Sequence, residues 1–135
     1  STIQDLIRQI VPLITVCSIP SADLDKQQFL AQLVGKLVNL SDELSNAAAV
    51  ASDKLKAAIT GDPVTAKIIY QEPIQFKPSA LHVFSTNVLP SSKGGVEAGI
   101  ERRLTVVPFS RSIPAEDRIP NIATKLMEEQ GSNVV

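Results

Sequence analysis

The sequence is short of the residues that mark several classes of protein. Its 135 residues include one cysteine, one histidine, one tyrosine and no tryptophan. The single cysteine, Cys17, excludes an intramolecular disulfide framework and suits a reducing cytosol, and its apolar neighbours predict a small core residue. The single histidine, His82, excludes a histidine-rich metal site. With no tryptophan, an aromatic platform on which nucleic-acid bases stack is not expected.

Net charge and long apolar runs are also lacking. Thirteen basic and fourteen acidic residues give a net charge of −1, which excludes a basic coat for nucleic acid over the whole surface. The positive charge is concentrated instead in residues 54–77 and 93–111, each with four basic and two acidic residues. No apolar run approaches the roughly 18 residues of a membrane span, and no secretory signal is visible. We therefore expect a cytoplasmic protein without a membrane partner.

Apolar residues make up 44% of the chain and charged residues 20%, as in ordinary globular domains. Apolar residues at helical spacing predict a first helix that Pro12 ends. Helices then alternate with apolar strands, which predicts an α/β fold with a mostly parallel sheet, flanking helices and one hairpin insertion. The later elements are expected as strand 13–19, helix 22–35, strand 36–40, helix 45–59, hairpin 65–77, strand 80–87, strand 103–109 and helix 115–130.

Two adjacent carboxylates follow the predicted buried strand KLVNL. Asp42 and Glu43 would therefore lie at the carboxyl edge of a sheet, where open α/β folds bind their ligands. In a nucleotide hydrolase, an Asp at this position holds the Mg²⁺ shell and a Glu polarises the attacking water. The alternative is an acidic pair at a helix N-terminus, which the helix dipole also favours.

Polar residues beside two later strands are candidates for contact with an anion. Asn87 ends the strand ALHVFSTN, where it could orient a water or contact a terminal phosphate, or simply begin a turn. Arg102 and Arg103 enter the strand RLTVVPF. Because arginine is costly to bury, this pair is expected to reach either an anion or the solvent, where it could be salt-bridged.

The start of the chain has the form of the end of a phosphate-binding loop. Such a loop reads G-x-x-x-x-G-K-[ST] and opens a helix, and Ser1 and Thr2 lead directly into the first predicted helix. The glycine loop itself does not occur in the sequence. If one exists, we expect it immediately upstream of Ser1.

The order of these pieces resembles that of a superfamily 3 helicase. A strand with Asp-Glu, a helix ending at TGDP, a hairpin, a strand ending STN and an arginine pair before a strand succeed one another within residues 35–109. More closely, the chain is similar to the C-terminal helicase domain of the phage and plasmid primase-helicase family, most specifically from TGDP to TNVLP. The resemblance implies an AAA+-like P-loop ATPase core, of which residues 1–135 are one partial domain without the first strand and most of the phosphate loop.

The resemblance also implies roles for individual residues at the nucleotide. Asp42 and Glu43 stand where the family has its Walker B acids, and Asn87 matches the sensor asparagine. Arg103 is the better match for the arginine finger given to a neighbouring subunit, with Arg102 as the alternate.

Further roles follow from the same resemblance for the chain start and the hairpin. Ser1 matches the Ser of the Walker A loop with Thr2 beside it, so both would contact ATP, and Ser1 with Asp42 would hold Mg²⁺ in the intact protein. Lys56 and Lys67 fall in the region that faces DNA in the family's central channel. Lys67 could equally be a solvated strand lysine.

The function implied is part of an ATP-dependent DNA helicase and primase of phage or plasmid replication in a bacterial cytoplasm. Its partners would be ATP, single-stranded DNA and further copies of the chain in a ring, expected to be a hexamer. The isolated chain is expected to have no ATPase activity, because loop amides and the phosphate-gripping lysine are absent. The alternative is a non-catalytic α/β module that binds DNA or protein in replication assembly.

Overall fold

The fold is organised around one short buried strand. A computed structural model describes residues 1–42, 44, 53–87 and 104–131. In chain order the helices and strands are α1 (Thr2–Ile10), β1 (Val16–Cys17), α2 (Gln27–Leu30), β2 (Val38–Ser41), α3 (Asp53–Thr60), β3 (Val64–Ala66), β4 (Ile74–Phe76), β5 (Leu81–Phe84) and α4 (Ile122–Gly131).

All four residues of β2 are buried, and β2 lies between β1 and β5. Both neighbours run parallel to it, with Val38 paired to Val16 on one side and to Leu81 on the other. The prediction of an α/β fold with a parallel sheet is therefore confirmed for the described residues. Because the strands are parallel and in register, the ends of β2 and β5 meet at the same carboxyl edge, where Ser41 is opposite Phe84.

Helix α1 begins after Ser1 and ends at Ile10, as the spacing of its apolar residues predicts. Val11 is extended, with φ −104° and ψ 149°, because the ring of a following proline disfavours helical backbone. The burial of α1 differs from the prediction. Gln4 is its buried residue, whereas Ile3 and Ile10 are 44% and 68% exposed.

The predicted helix over 22–35 is wrong as one element. The chain forms a 3₁₀ turn at Ser21–Asp23, the short α2, and a second 3₁₀ turn at Ala31–Leu33. Lys26 interrupts the helix with an extended backbone at ψ 125°. The break is consistent with tertiary packing overriding helix propensity, since Leu24, Leu30 and Leu33 are all at most 1% exposed.

Two predicted strands are shorter in the structure. Residues 13–15 form a 3₁₀ turn, so strand 13–19 is reduced to the two residues of β1. Strand 80–87 is reduced to β5, and the polar residues 85–87 follow it. Cys17 is partly buried and packs against the edge of the core, so the expectation of a core residue is confirmed only in part.

The predicted strand over 103–109 is wrong for its described residues. Residues 104–109 form neither helix nor strand, and all of their side chains are exposed. A strand needs a partner for its backbone groups, and in the described part of the chain neither open edge of the sheet pairs with this segment. Pro108 also removes one of the N–H donors that such a ladder requires.

The hairpin prediction is confirmed, because β3 and β4 pair antiparallel with Thr65 opposite Gln75. The helix before it ends as expected at Gly61, which adopts φ +72°. The backbone N–H of Asp62 donates to the carbonyl oxygen of Ala57 at 3.0 Å, which closes the helix end. Of the predicted helix 45–59, residues 45–52 lie outside the described ranges.

The last predicted helix, 115–130, is divided. A 3₁₀ turn covers Ala115–Asp117, and α4 starts only after Asn121, which has φ 52°. Helix α4 packs against α1. The principal core lies under α2, α3 and the hairpin, and its buried members are Ile19, Leu24, Leu30, Leu33, Leu55, Ala58, Val64, Ala66 and Ala80.

Over the described ranges, every helix is too short or too polar to span a lipid bilayer.

Candidate functional site

Polar residues from three separate segments meet at the carboxyl edge of the sheet. Ser41 ends β2 and Asp42 follows it, while Ser85 comes directly after β5. The backbone N–H of Ser85 donates to the carbonyl oxygen of Ser41 at 3.0 Å, which extends the strand pairing by one step. The third segment is the first turn of α1, which contacts both strand ends.

Gln4 makes that contact. Its Nε2 donates to the carbonyl oxygen of Ser41 at 2.8 Å and to Oγ of Ser85 at 3.0 Å. A carbonyl oxygen can only accept, so the NH₂ end of the amide must face Ser41. The N-terminal end of α1 is thereby directed at the carboxyl edge of the sheet.

Ser1 occupies the N-cap position of α1, but its side chain makes no capping hydrogen bond. Its backbone nitrogen lies 3.7 Å from Oδ1 of Asp42. The side chain of Asp42 is 68% exposed, so its carboxylate is open to solvent at this edge. Thr2 is the first residue of the helix and is also exposed.

Asn87 lies three residues beyond β5 and is exposed. Thus the structure brings Ser1, Asp42 and the segment leading to Asn87 to one edge. Glu43, Arg102 and Arg103, the other residues expected at this site, lie outside the described residues.

The two lysines expected to contact DNA occupy different environments. Lys67 is exposed at the start of the loop that joins β3 to β4, and its backbone N–H donates to the carbonyl oxygen of Gln27 at 3.2 Å. In the same loop Tyr70 is fully exposed with φ 61°. Lys56 lies on α3, where its Nζ is 3.1 Å from Oδ1 of Asp53.

A second polar cluster lies inside the sheet. Asn39 is 0% exposed, and its amide accepts from the N–H of Ile19 at 2.7 Å and donates to the oxygen of the same residue at 3.0 Å. Its Nδ2 is also 3.2 Å from Nδ1 of His82. Because Nδ2 can only donate, Nδ1 is the acceptor and the neutral ring carries its proton on Nε2. Burial lowers the pKa of His82 from 6.5 to about 4.

The chemistry of the carboxyl edge suits a hard cation. Magnesium is usually held by one or two carboxylates together with phosphate oxygens and waters, and this edge offers an exposed carboxylate at Asp42 and a hydroxyl at Ser1. In the described ranges, no three His, Cys, Asp or Glu residues come together as a set of metal ligands. The donors present therefore fit a cation that arrives with a phosphate ligand, and not a closed structural metal site.

Sequence reasoning missed Gln4, Ser41, Ser85 and Asn39. A polar residue beside an apolar helix stripe is normally assigned to the solvent face, so the pattern gave no reason to select Gln4. One available signal was the polar residue Asn39 within the apolar run KLVNL. A buried strand can hold such a residue only if its hydrogen bonds are satisfied.

Parts of the chain are similar to a curated protein and to a solved structure. A protein of Acanthamoeba polyphaga mimivirus that carries a provisional helicase name is 38% identical over 78 residues, which is 57% of this chain and 8% of that relative. The chain thus spans a small part of this curated relative. Among solved structures, the A form apo structure of the NrS-1 C-terminal region aligns with a TM-score of 0.48 and 22% identity, and the match covers 62% of this chain and 20% of that one.

A family model gives the more extensive match. It is described as a family of unknown function, DUF5906, and it matches residues 1–103. That range includes the first turn of α1 and the ends of β2 and β5, and so all of the carboxyl edge. Because the match extends over more than half of the sequence, the chain belongs to the DUF5906 family.

Proposed function

We propose that this chain is part of an ATP-dependent DNA helicase of a replication system, and that the carboxyl edge of its sheet binds Mg-ATP. The observation that carries the proposal is the meeting of the N-terminal end of α1, the carboxylate of Asp42 and the segment 85–87 at one edge. The sequence resemblance to the superfamily 3 helicases of phages and plasmids, and the helicase name of the mimivirus relative, support the same proposal.

The N-terminal end of α1 would receive the phosphates. Free backbone N–H groups and the positive end of the helix dipole favour an anion at such a position. The hydroxyl of Ser1 makes no capping bond within the helix, and Thr2 is exposed beside it. In the proposed site both hydroxyls would contact the nucleotide, together with a glycine loop and lysine that we expect ahead of Ser1.

Asp42 and Ser1 are the residues that would hold the magnesium ion. When bound, the ion neutralises charge that develops on the transferred phosphoryl group. Asp42 contributes a carboxylate whose exposure leaves room for metal-bound waters. Asp42 directly follows Ser41, which is paired with Phe84 in the sheet, so the position of the Asp42 backbone is fixed by that pairing.

The remaining residues complete the proposal for hydrolysis. Glu43 would accept a proton from the attacking water, and Asn87 would orient that water or the terminal phosphate. Arg103, or its neighbour Arg102, would reach the nucleotide of an adjacent copy of the chain in a homo-oligomeric ring, expected to be a hexamer. An arginine in that role stabilises charge in the transition state.

The hairpin would face the DNA strand. Lys67 and Tyr70 are both exposed in its loop, where the lysine would pair with a phosphate and the single tyrosine ring would stack on a base. The strained backbone of Tyr70 supports a functional use of this loop. Lys56 forms an ion pair with Asp53 on α3 and would contribute to the electrostatic potential that attracts DNA to this surface.

ATP hydrolysis by a longer chain, extended upstream through the expected strand and glycine loop, tests the proposal. We expect DNA-stimulated turnover, and we expect Glu43→Gln to lower kcat by about 10²–10⁴-fold, since it removes the general base. Glu116→Gln, an exposed acid in the turn before α4, is the matched control and leaves kcat unchanged. A longer chain that binds no nucleotide would instead support a non-catalytic module for replication assembly.

A further inference from the structure

We propose that Gln4 is a positioning residue whose side-chain amide fixes the carboxyl ends of β2 and β5 to the first turn of α1. Through these ends it sets where Asp42 and Asn87 lie relative to Ser1. The catalytic consequence rests on the proposed function, whereas the positioning itself is a property of this chain and is tested separately below.

The geometry of the amide uses both of its donors. One N–H is given to the carbonyl oxygen of Ser41, 37 positions away, and the other to the hydroxyl of Ser85, 81 positions away. Gln4 itself is 0% exposed, so water does not compete for either bond. Three segments that are distant in the sequence are thereby joined by one side chain.

Packing alone does not explain this residue. An amphipathic helix normally buries its apolar stripe. In α1 the stripe is only partly buried, with Ile3 and Ile10 44% and 68% exposed, whereas Gln4 is fully buried. Among the described residues Oε1 of Gln4 has no hydrogen-bond partner, which is a cost in free energy. An apolar residue would avoid that cost but could not make the two directional bonds that the amide makes.

The bonded atoms are adjacent to the residues that would act on the nucleotide. Ser41 immediately precedes Asp42, and Ser85 is two residues before Asn87. Ser1 is less than one helical turn before Gln4 on the same helix. Removal of the amide would therefore loosen the spacing between these groups more than it loosens the rest of the sheet.

Hydrogen exchange in this chain tests the positioning without any nucleotide. The two ends of β5 provide an internal comparison, because the N–H of Ser85 donates to Ser41 at the carboxyl edge and the N–H of Leu81 donates to Leu37 at the opposite edge. We expect Gln4→Met to accelerate exchange at Ser85 by at least about tenfold and to change Leu81 by less than about twofold. Gln9→Met, at an exposed position of the same helix, should change neither.

Equal acceleration at both ends, or none at Ser85, would overturn the inference. Equal acceleration would mean that Gln4 contributes only to global stability. No acceleration would mean that its bonds do not hold the edge. Both results are independent of ATP, so they do not bear on the proposed function.

Kinetics of the longer chain test the catalytic consequence. We expect Gln4→Met to lower kcat by about tenfold while KM for ATP changes by less than about threefold, since misplacement of reacting groups acts on the transition state. Ser85→Ala removes only one of the two bonds of Gln4, so it should lower kcat by less than Gln4→Met does. The double variant should be no worse than Gln4→Met alone, because the bond to Ser85 is already lost in that variant. Additive losses, or a loss in KM alone, would contradict a positioning role. If the unaltered longer chain hydrolyses no ATP, the proposed function fails and the exchange comparison alone decides the positioning role.

Discussion

At the scale of single residues, buried side-chain amides add hydrogen bonds between elements of the sheet beyond those of the backbone ladder. Asn39 links β2 to Ile19 on one side and to His82 of β5 on the other. It satisfies both the N–H and the oxygen of Ile19, a residue that is 0% exposed. The polar side chain in the middle strand thus replaces backbone pairing where β1 has already ended.

Asn39→Ala should destabilise the chain by about 2–6 kcal/mol. The change leaves two buried backbone groups of Ile19 without partners, and each such loss costs about 1–3 kcal/mol. Urea unfolding monitored by circular dichroism measures the effect. Gln28→Ala, an exposed amide on α2, should change the free energy of unfolding by less than about 0.5 kcal/mol. A loss for Asn39→Ala as small as that of this control would contradict the assigned bonds.

His82 should make stability depend on pH. Burial lowers its pKa in the folded chain from 6.5 to about 4, so between these values the unfolded chain binds a proton that the folded chain does not. Stability is therefore complete above pH 6.5 and falls as pH decreases towards 4. We expect a loss on the order of 2 kcal/mol between pH 7.5 and pH 5.

The measurement is the urea midpoint at the two pH values, with His82→Leu as the comparison. The variant removes the titrating group, so its midpoint should move by less than half as much. A variant with the same pH dependence as the unaltered chain would assign the effect to other groups.

At the scale of elements, the strongest local signals in the sequence are those that the structure follows. Gly61 ends α3 with a left-handed backbone, and the TGDP turn leads into the antiparallel hairpin, as expected. Helix α1 ends at the residue that precedes Val11-Pro12. These features depend on φ restrictions within a few residues, which is why they can be predicted from the sequence alone.

Gly61→Ala should destabilise the chain by about 1–2 kcal/mol, since a residue with a Cβ is strained at φ +72°. The added Cβ would also lie 3.4 Å from the carbonyl oxygen of Pro78, which is an ordinary van der Waals contact and adds little. Thermal unfolding measures the loss. Gly61→Asn should recover about half of it, because Asn tolerates the left-handed region. If Gly61→Ala and Gly61→Asn lowered the free energy of unfolding equally, left-handed backbone strain would not be the cause of the loss.

The hairpin should bind single-stranded DNA weakly through its loop. Lys67→Ala is expected to weaken the affinity of the chain for an oligothymidine about two- to fivefold at low salt and to reduce the salt slope by about 0.7. Lys77→Ala is the matched control, because Lys77 is an exposed lysine after β4, at the opposite end of the same hairpin. Fluorescence anisotropy measures both variants, and equal losses would contradict a contact specific to the loop.

At the scale of the whole molecule, the arrangement of the sheet could be predicted from the sequence. The residues whose side chains join its strand ends to α1 could not. The rule that parallel strands end at one edge placed Asp42 correctly after β2. It did not select Gln4, because burial of that residue depends on α1 crossing the ends of two strands. The predicted strand 103–109 failed for a related reason, since an apolar segment becomes a strand only if an edge is available to pair with it.

The bonds of Gln4 have a consequence for how the chain is made. Gln4 and Ser85 are 81 positions apart, and a ribosome adds about 5–20 residues per second. For about 4–16 s after Gln4 has been added, Ser85 therefore does not yet exist. Once β2 has been made, its edge towards β5 stays unpaired until β5 follows it, and an unpaired edge can associate with other strands. The contacts of Gln4 with Ser41 and Ser85 join residues far apart in the sequence, and such contacts are entropically costly to form early. Assembly of this edge would accordingly be among the last events in folding, and newly made chains would be most prone to mispairing just before it closes.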